Sequence, residues 1–138
     1  MKKVSDSTLN KLGRKVALAL WRTRCPLSGN QNINELQAHH IVHRNRTLLK
    51  WDWRNLFVVS MSSDDKYKID GLTAHQFADT LKGRDKVHMI IGNDQWTYLQ
   101  RMELWNFKDY LVAHGSTRDE FKLCIYNELN AKLKELEE

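Results

Sequence analysis

The segment between residues 35 and 60 constrains the fold more than any other part of the chain. Residues 35–42 form a short strand-like run, and Leu56–Ser60 form another that is rich in β-branched and apolar side chains. A basic, aromatic stretch from about residue 43 to residue 54 lies between them. Two such runs joined by one loop predict a hairpin, so a purely helical fold is excluded.

Most of the remaining sequence follows helical periodicity. The pattern predicts helices over 7–24, where Pro26 ends the helix, from residue 62, over 73–81 before Gly83, and over 93–114, while 86–91 fits a strand or a helix. Thr117 and Glu120 form a capping-box pattern for a last helix. The expected apolar stripe of that helix consists of Leu123, Tyr126, Leu129, Leu133 and Leu136.

These patterns predict an α+β fold, with a hairpin-plus-helix core embedded in a mostly helical domain. The 138 residues are enough for one domain, 1–138. It would comprise a helical N-terminal part (5–25), the hairpin-plus-helix core (about 33–70) and a helical C-terminal part (73–138). No apolar run approaches the roughly 20 residues of a membrane span, and no secretory signal pattern is present, so we expect a cytoplasmic protein without a membrane partner. Cys25 and Cys124 are expected to be buried or half-buried thiols.

The charge of the chain is unevenly distributed. Residues 1–54 carry 11 Lys and Arg against three acids, a net charge of +8, whereas residues 55–138 carry 11 against 14, a net charge of −3. A basic half that also contains histidines indicates a polyanionic partner, most simply nucleic acid.

The hairpin segment contains a set of residues suited to phosphodiester cleavage. His39 and His40 are adjacent in the first run, and Asn55 stands at the start of the second. One imidazole can take a proton from water near neutral pH, and a second can bind a divalent ion that neutralises the phosphate. An asparagine on the facing strand can hold the basic ring through its side-chain amide. The pattern therefore indicates a metal-dependent nuclease.

The sequence His39-His40-Ile41-Val42, a variable loop, and then Leu49-Lys50-Trp51-Asp52 with Asn55 resembles the central motif of the HNH (ββα-metal) endonucleases. The resemblance implies that His40 is the general base, His39 a metal ligand and Asn55 the orienting asparagine. It also implies one divalent cofactor, Mg²⁺ or Mn²⁺, and a DNA substrate. The later helices resemble the phage lambda NinG (Rap) recombination endonucleases, which implies branched DNA or recombination intermediates as the substrate.

The chain departs from the family pattern at two places. The family usually carries two cysteine pairs that bind zinc around the hairpin, but here only Cys25 is present, with Ser28 where a second thiol might stand. No structural zinc is therefore expected. At the family's third position, near the next helix start, Asp64 or Asp65 is the expected metal ligand. His75 is expected to be a structural or exposed residue, and it is the spare imidazole if neither aspartate binds the metal.

Four basic residues close to the histidines are expected to contact the DNA backbone: Arg44, Arg46, Lys50 and Arg54. His43 is either a phosphate contact or a solvated loop residue. Trp51, Trp96 and Trp105 are expected in the core, and Trp53 fits either the core or base stacking. The last helix fits packing within the chain or a homodimer seam. The alternatives to a nuclease are a DNA-binding module with a degenerate HNH site and a structural protein.

Overall fold

A computed structural model of the chain describes residues 3–43 and 47–138. Over these residues the fold is α+β, as expected, with six α-helices and one two-stranded antiparallel hairpin. The elements in chain order are α1 (Asp6–Leu20), β1 (Leu36–His40), β2 (Leu56–Ser60), α2 (Ala74–Ala78), α3 (Leu81–Ile91), α4 (Asn93–Glu103), α5 (Phe107–Ala113) and α6 (Arg118–Glu137). Within the described ranges, no helix combines the length and apolar character needed to cross a bilayer.

The hairpin lies at the centre of the fold because β2 is buried on both faces. The side chains of Leu56 and Val58 pack with α1, and those of Phe57 and Val59 pack with residues of α2, α3 and α4. This alternation follows from the two-residue period of a strand. The predicted second strand is confirmed, and the first is shorter than the predicted 35–42. In the register of the pair, His40 stands opposite Leu56.

Helix α6 packs along α1 and completes a second layer. The predicted capping box is present, with Glu120 N donating to Thr117 Oγ1 at 3.1 Å and Thr117 N donating to Glu120 Oε1 at 3.0 Å. The buried stripe differs in part from the expected one, because it consists of Phe121, Ile125, Leu129 and Leu133. This stripe packs against Leu9, Val16 and Trp51 within the same chain. A homodimer through the C-terminal helices stays a prediction. The apolar side chains that were expected to form its interface pack against other parts of the same chain.

The structure corrects three other helix predictions. The segment from residue 62 forms only a single 3-10 turn at Asp65–Tyr67. The helix expected over 73–81 ends at Ala78, and Gly83 lies inside α3. A Cβ at Gly83 would lie 1.8 Å from a backbone oxygen of α2, so only glycine allows this close approach.

The helix expected over 93–114 is divided between α4 and α5. The division follows from Asn106, whose side chain accepts hydrogen bonds from Lys108 N and Asp109 N and so starts a new helix. Because the chain turns here, Trp105 is 40% exposed rather than in the core. Cys124 is also exposed, contrary to expectation, whereas Cys25 is fully buried.

Candidate active site

Four of the six histidines of the chain line one cavity of about 250 Å³ at the end of the hairpin. His39 and His40 come from β1, His43 follows that strand, and His75 comes from α2. Asp79, which ends α2, lines the same cavity. The sequence predicted the first two of these residues as the site, and the fold adds His75 and Asp79 from α2 to the cavity lining.

Three side chains converge on one side of this cavity. His39 Nε2 lies 3.4 Å from Asp79 Oδ1, and the His39 and His75 rings meet edge to face with centroids 5.2 Å apart. Burial lowers the pKa of His39 despite the opposing charge of Asp79, and the neighbouring His75 lowers it further. The neutral imidazole that results has a lone pair for a metal ion.

Two of these side chains are spaced as two ligands of one small divalent cation would be. Two ligand atoms that share an ion at roughly 2.1 Å stand about 3.0–3.4 Å apart, which is the range of the His39 to Asp79 contact. Imidazole and carboxylate are ligands that Mn²⁺ accepts, although a pure Mg²⁺ site contains mostly oxygen. Among the described residues, no group of three His, Cys, Asp or Glu side chains is placed to hold a metal ion. His75 would therefore have to move towards the other two.

The His40 ring bonds to the backbone of the loop between β1 and β2. Its Nε2 lies 2.8 Å from the backbone oxygen of Lys50. Because a carbonyl oxygen only accepts, Nε2 carries the proton and donates it, and the lone pair of the neutral ring is on Nδ1. This hydrogen bond fixes the ring tautomer that a general base needs.

Asn55 makes different contacts from the expected bond to the His40 ring. It is fully buried, its Oδ1 accepts from Val42 N at 2.6 Å, and its Nδ2 donates to Val42 O at 3.0 Å and Leu49 O at 3.1 Å. These bonds clasp the two ends of the loop that follows β1. Asn55 therefore bonds to the loop, and a backbone carbonyl of the same loop, that of Lys50, bonds to the His40 ring.

The two aspartates expected as metal ligands are engaged elsewhere. Asp64 caps the 3-10 turn by accepting from Lys66 N, and Asp65 pairs with Lys68 at 3.5 Å with its side chain 97% exposed. Neither lines the histidine cavity. The predicted helix that would have carried them there does not form.

His75 and Asp79 take the place expected for those aspartates. They are four residues apart, so one helical face presents both. The Thr73 capping box starts α2, and buried Ala74, Phe77 and Ala78 anchor it. This spacing was the available sequence signal for the pair.

The predicted DNA-contacting residues separate into three groups. Arg44 and Arg46 lie outside the described residues. The Lys50 ammonium lies 5.1 Å from the centre of the Trp51 ring. Arg54 is committed to the protein, because its Nε donates to Asp52 Oδ1 at 3.0 Å and its guanidinium stacks over the Tyr98 ring at 4.0 Å. That arrangement favours a structural part for Arg54.

Three tryptophans differ in how deeply they are buried. Trp51 is buried as expected, and its Nε1 donates to Asn10 Oδ1 at 2.8 Å. Trp53 is half-buried, with Lys132 over its ring at 4.2 Å. Trp96 is half-buried as well and stacks on His88 at 4.4 Å.

Hydrogen bonds join the residues around the buried Cys25 and Asn30. Cys25 Sγ accepts from Ser28 N at 3.4 Å. The buried Asn30 donates through Nδ2 to Ser60 Oγ at 2.9 Å, and its Oδ1 accepts from Asn32 N. One thiol with hydroxyl and amide neighbours does not supply the ligands of a structural zinc site.

Comparison with known proteins adds no relative: no family model, no curated protein and no solved structure matches the chain.

Proposed function

We propose that this protein is a divalent-metal-dependent DNA endonuclease of the HNH (ββα-metal) type. The observation that carries the proposal is the cavity in which His39, His40, His75 and Asp79 meet. They come from a strand, the end of that strand and a later helix, which is the order that the family resemblance implies. The basic N-terminal half of the chain supports DNA as the substrate.

In the proposed reaction, His40 is the general base. Its Nδ1 takes a proton from a water molecule as the water oxygen bonds to phosphorus, and the bond from phosphorus to the 3′ oxygen breaks on the opposite side. The leaving 3′ oxygen gains a proton from solvent. The Lys50 carbonyl stabilises the protonated His40 ring, because it continues to accept from Nε2.

His39, Asp79 and His75 would hold the metal ion. A bound Mg²⁺ or Mn²⁺ would supply positive charge at the scissile phosphate and at the leaving oxygen. Lys50 and His43 would add contacts to the DNA backbone. Asn55 would act as a positioning residue, since it fixes the loop whose carbonyl orients His40.

The test is nicking of supercoiled plasmid and cleavage of a four-way DNA junction, with Mg²⁺, with Mn²⁺ and with EDTA. We expect cleavage only with a metal ion, and faster cleavage of the junction if the branched-DNA resemblance holds. His40→Ala should lower the rate by about 10²–10⁴. The matched control is His114→Ala, an exposed histidine whose Nδ1 lies 2.9 Å from Tyr110 O, which should keep the wild-type rate.

Direct Mn²⁺ binding tests the ligand set separately. His75→Ala and Asp79→Asn should each weaken Mn²⁺ binding by about tenfold or more, whereas Asp64→Asn and Asp65→Asn should not. If the wild type shows no metal-dependent cleavage, or if His40→Ala cleaves as fast as the wild type, the proposal fails. Tight, metal-independent DNA binding without cleavage would instead favour a binding module with a degenerate site.

A further inference from the structure

A second cavity, of about 450 Å³, lies between α1, β1 and the loop before β2. It shares Gln37, Ala38 and His40 with the histidine cavity, so the two cavities meet along β1. Its volume is within the range of roughly 300–1,000 Å³ that is typical of small-ligand sites. A molecule bound here would therefore lie beside the proposed general base.

The lining of this second cavity is apolar at the bottom and polar at the rim. Leu9, Trp51 and Leu56 form the bottom and are at most 3% exposed. The amide side chains of Asn10 and Gln37 are exposed at the rim. A flat apolar face with hydrogen-bonding edges, such as a nucleobase, matches both parts.

The charge of this cavity is entirely positive in the described part of the chain. Arg14 and Lys50 line it, and no acidic residue does. The guanidinium of Arg14 is held in place, since Nη1 donates to Leu36 O at 3.0 Å and Nη2 donates to Ile33 O at 3.5 Å. A fixed guanidinium and a nearby ammonium favour a phosphate group.

We propose that this cavity binds one deoxynucleotide of the substrate, next to the phosphate that is cleaved. The base would lie on the apolar bottom, and its phosphate would contact Arg14 and Lys50. The inference rests on the proposed nuclease for the position of the cleaved bond. A base reaches such a cavity only after it leaves the stack of the duplex, so the site would select an unstacked nucleotide.

The test is a titration followed by the amide signals of ¹⁵N-labelled protein in EDTA, where no cleavage occurs. The probes are deoxyadenosine 5′-monophosphate, 2-deoxyribose 5-phosphate and inorganic phosphate. We expect the nucleotide to shift the amide signals of Gly13 and Gln37 at concentrations about tenfold lower than the sugar phosphate, because burial of the base on the apolar bottom adds to the phosphate contact.

Two variants separate the base from the phosphate. Gly13→Ala places a methyl group 3.3 Å from Leu56 Cδ1 at the bottom of the cavity, and alanine suits the helix. It should weaken nucleotide binding about threefold and leave inorganic phosphate unaffected. Lys50→Gln keeps the backbone carbonyl and should weaken both ligands. Lys108→Gln, an equal loss of charge on the exposed face of α5, is the control and should change neither.

If inorganic phosphate shifted the same signals at the same concentrations as the nucleotide, the cavity would be an anion site only, and the inference would be overturned. An absence of shifts with the nucleotide would overturn it as well. Because binding is measured without a metal ion, it is independent of cleavage. Nucleotide binding in a protein that never cuts DNA would support this site and overturn the nuclease. Cleavage without nucleotide binding would overturn the inference alone.

Discussion

Replacing Asn55 with alanine is the sharpest test of how the loop beside the active site is held. The side chain makes three buried hydrogen bonds, one from Val42 N and two to the carbonyl oxygens of Val42 and Leu49. Alanine removes all three bonds at once. The partners stay with the backbone, so Asn55→Ala leaves one N–H group and two carbonyl oxygens to find new partners.

The magnitude follows from the cost of a buried polar group without a partner. One unsatisfied donor or acceptor costs about 1–3 kcal/mol. The Val42 N–H loses the 2.6 Å bond and sits in a buried residue, so it should carry the largest part. Carbonyl oxygens tolerate the loss of a partner better than N–H groups. We expect the free energy of unfolding to fall by about 3–5 kcal/mol, a large share of the roughly 5–15 kcal/mol of a typical domain.

Urea denaturation followed by tryptophan fluorescence measures this loss, provided that the slope of the unfolding free energy against urea concentration is the same for the variant and the wild type. The control is Asn127→Ala, an exposed asparagine of α6, which should change the stability by less than about 0.5 kcal/mol. If Asn55→Ala cost less than about 1 kcal/mol, the clasp would not hold the loop. Nicking by the folded fraction should also fall, because the Lys50 carbonyl that orients His40 lies in that loop.

Three further predictions test other parts of the fold. Gly83→Ala should destabilise the protein by about 3 kcal/mol or more in urea, since the new Cβ would lie 1.8 Å from a backbone oxygen. Tyr98→Phe removes the hydroxyl that donates to Asp52 Oδ2 at 2.5 Å and should cost about 1.5–3 kcal/mol by thermal denaturation. A maleimide should label Cys124 in the native protein and Cys25 only after denaturation, as mass spectrometry would show.

The elements that follow from local patterns could be predicted from the sequence. The β-branched run Leu56–Ser60 forms a strand with the predicted bounds, and the Thr117 and Glu120 pair starts the last helix. Breaks within helical patterns were harder to predict, because they depend on competition between a side-chain cap and the continuation of the helix. At Asn106 a side-chain cap ends one helix and begins another, and the periodicity of apolar residues alone cannot reveal such a break.

The sequence pointed to the two histidines of β1 as candidate site residues, whereas on α2 it offered His75 only as a spare imidazole and did not indicate Asp79. Strand alternation places His39 and His40 on opposite faces, yet both line one cavity because they stand at the end of β1. His75 and Asp79 come together with His39 only through tertiary packing across more than 30 residues. Their four-residue spacing indicates a shared site only once the position of α2 over the hairpin is known.

Two buried asparagines explain how so small a sheet can hold His39 and His40 in place. A two-stranded hairpin is at best marginally stable alone, and this one has no cysteine pair to bind a structural metal. Asn30 donates to Ser60 at one end of the strand pair, and Asn55 clasps the loop at the other. Burial makes each clasp costly to break. His40 bonds to the Lys50 carbonyl of the loop that Asn55 holds, so if the proposed function is right, Asn55→Ala should slow cleavage without removing a metal ligand.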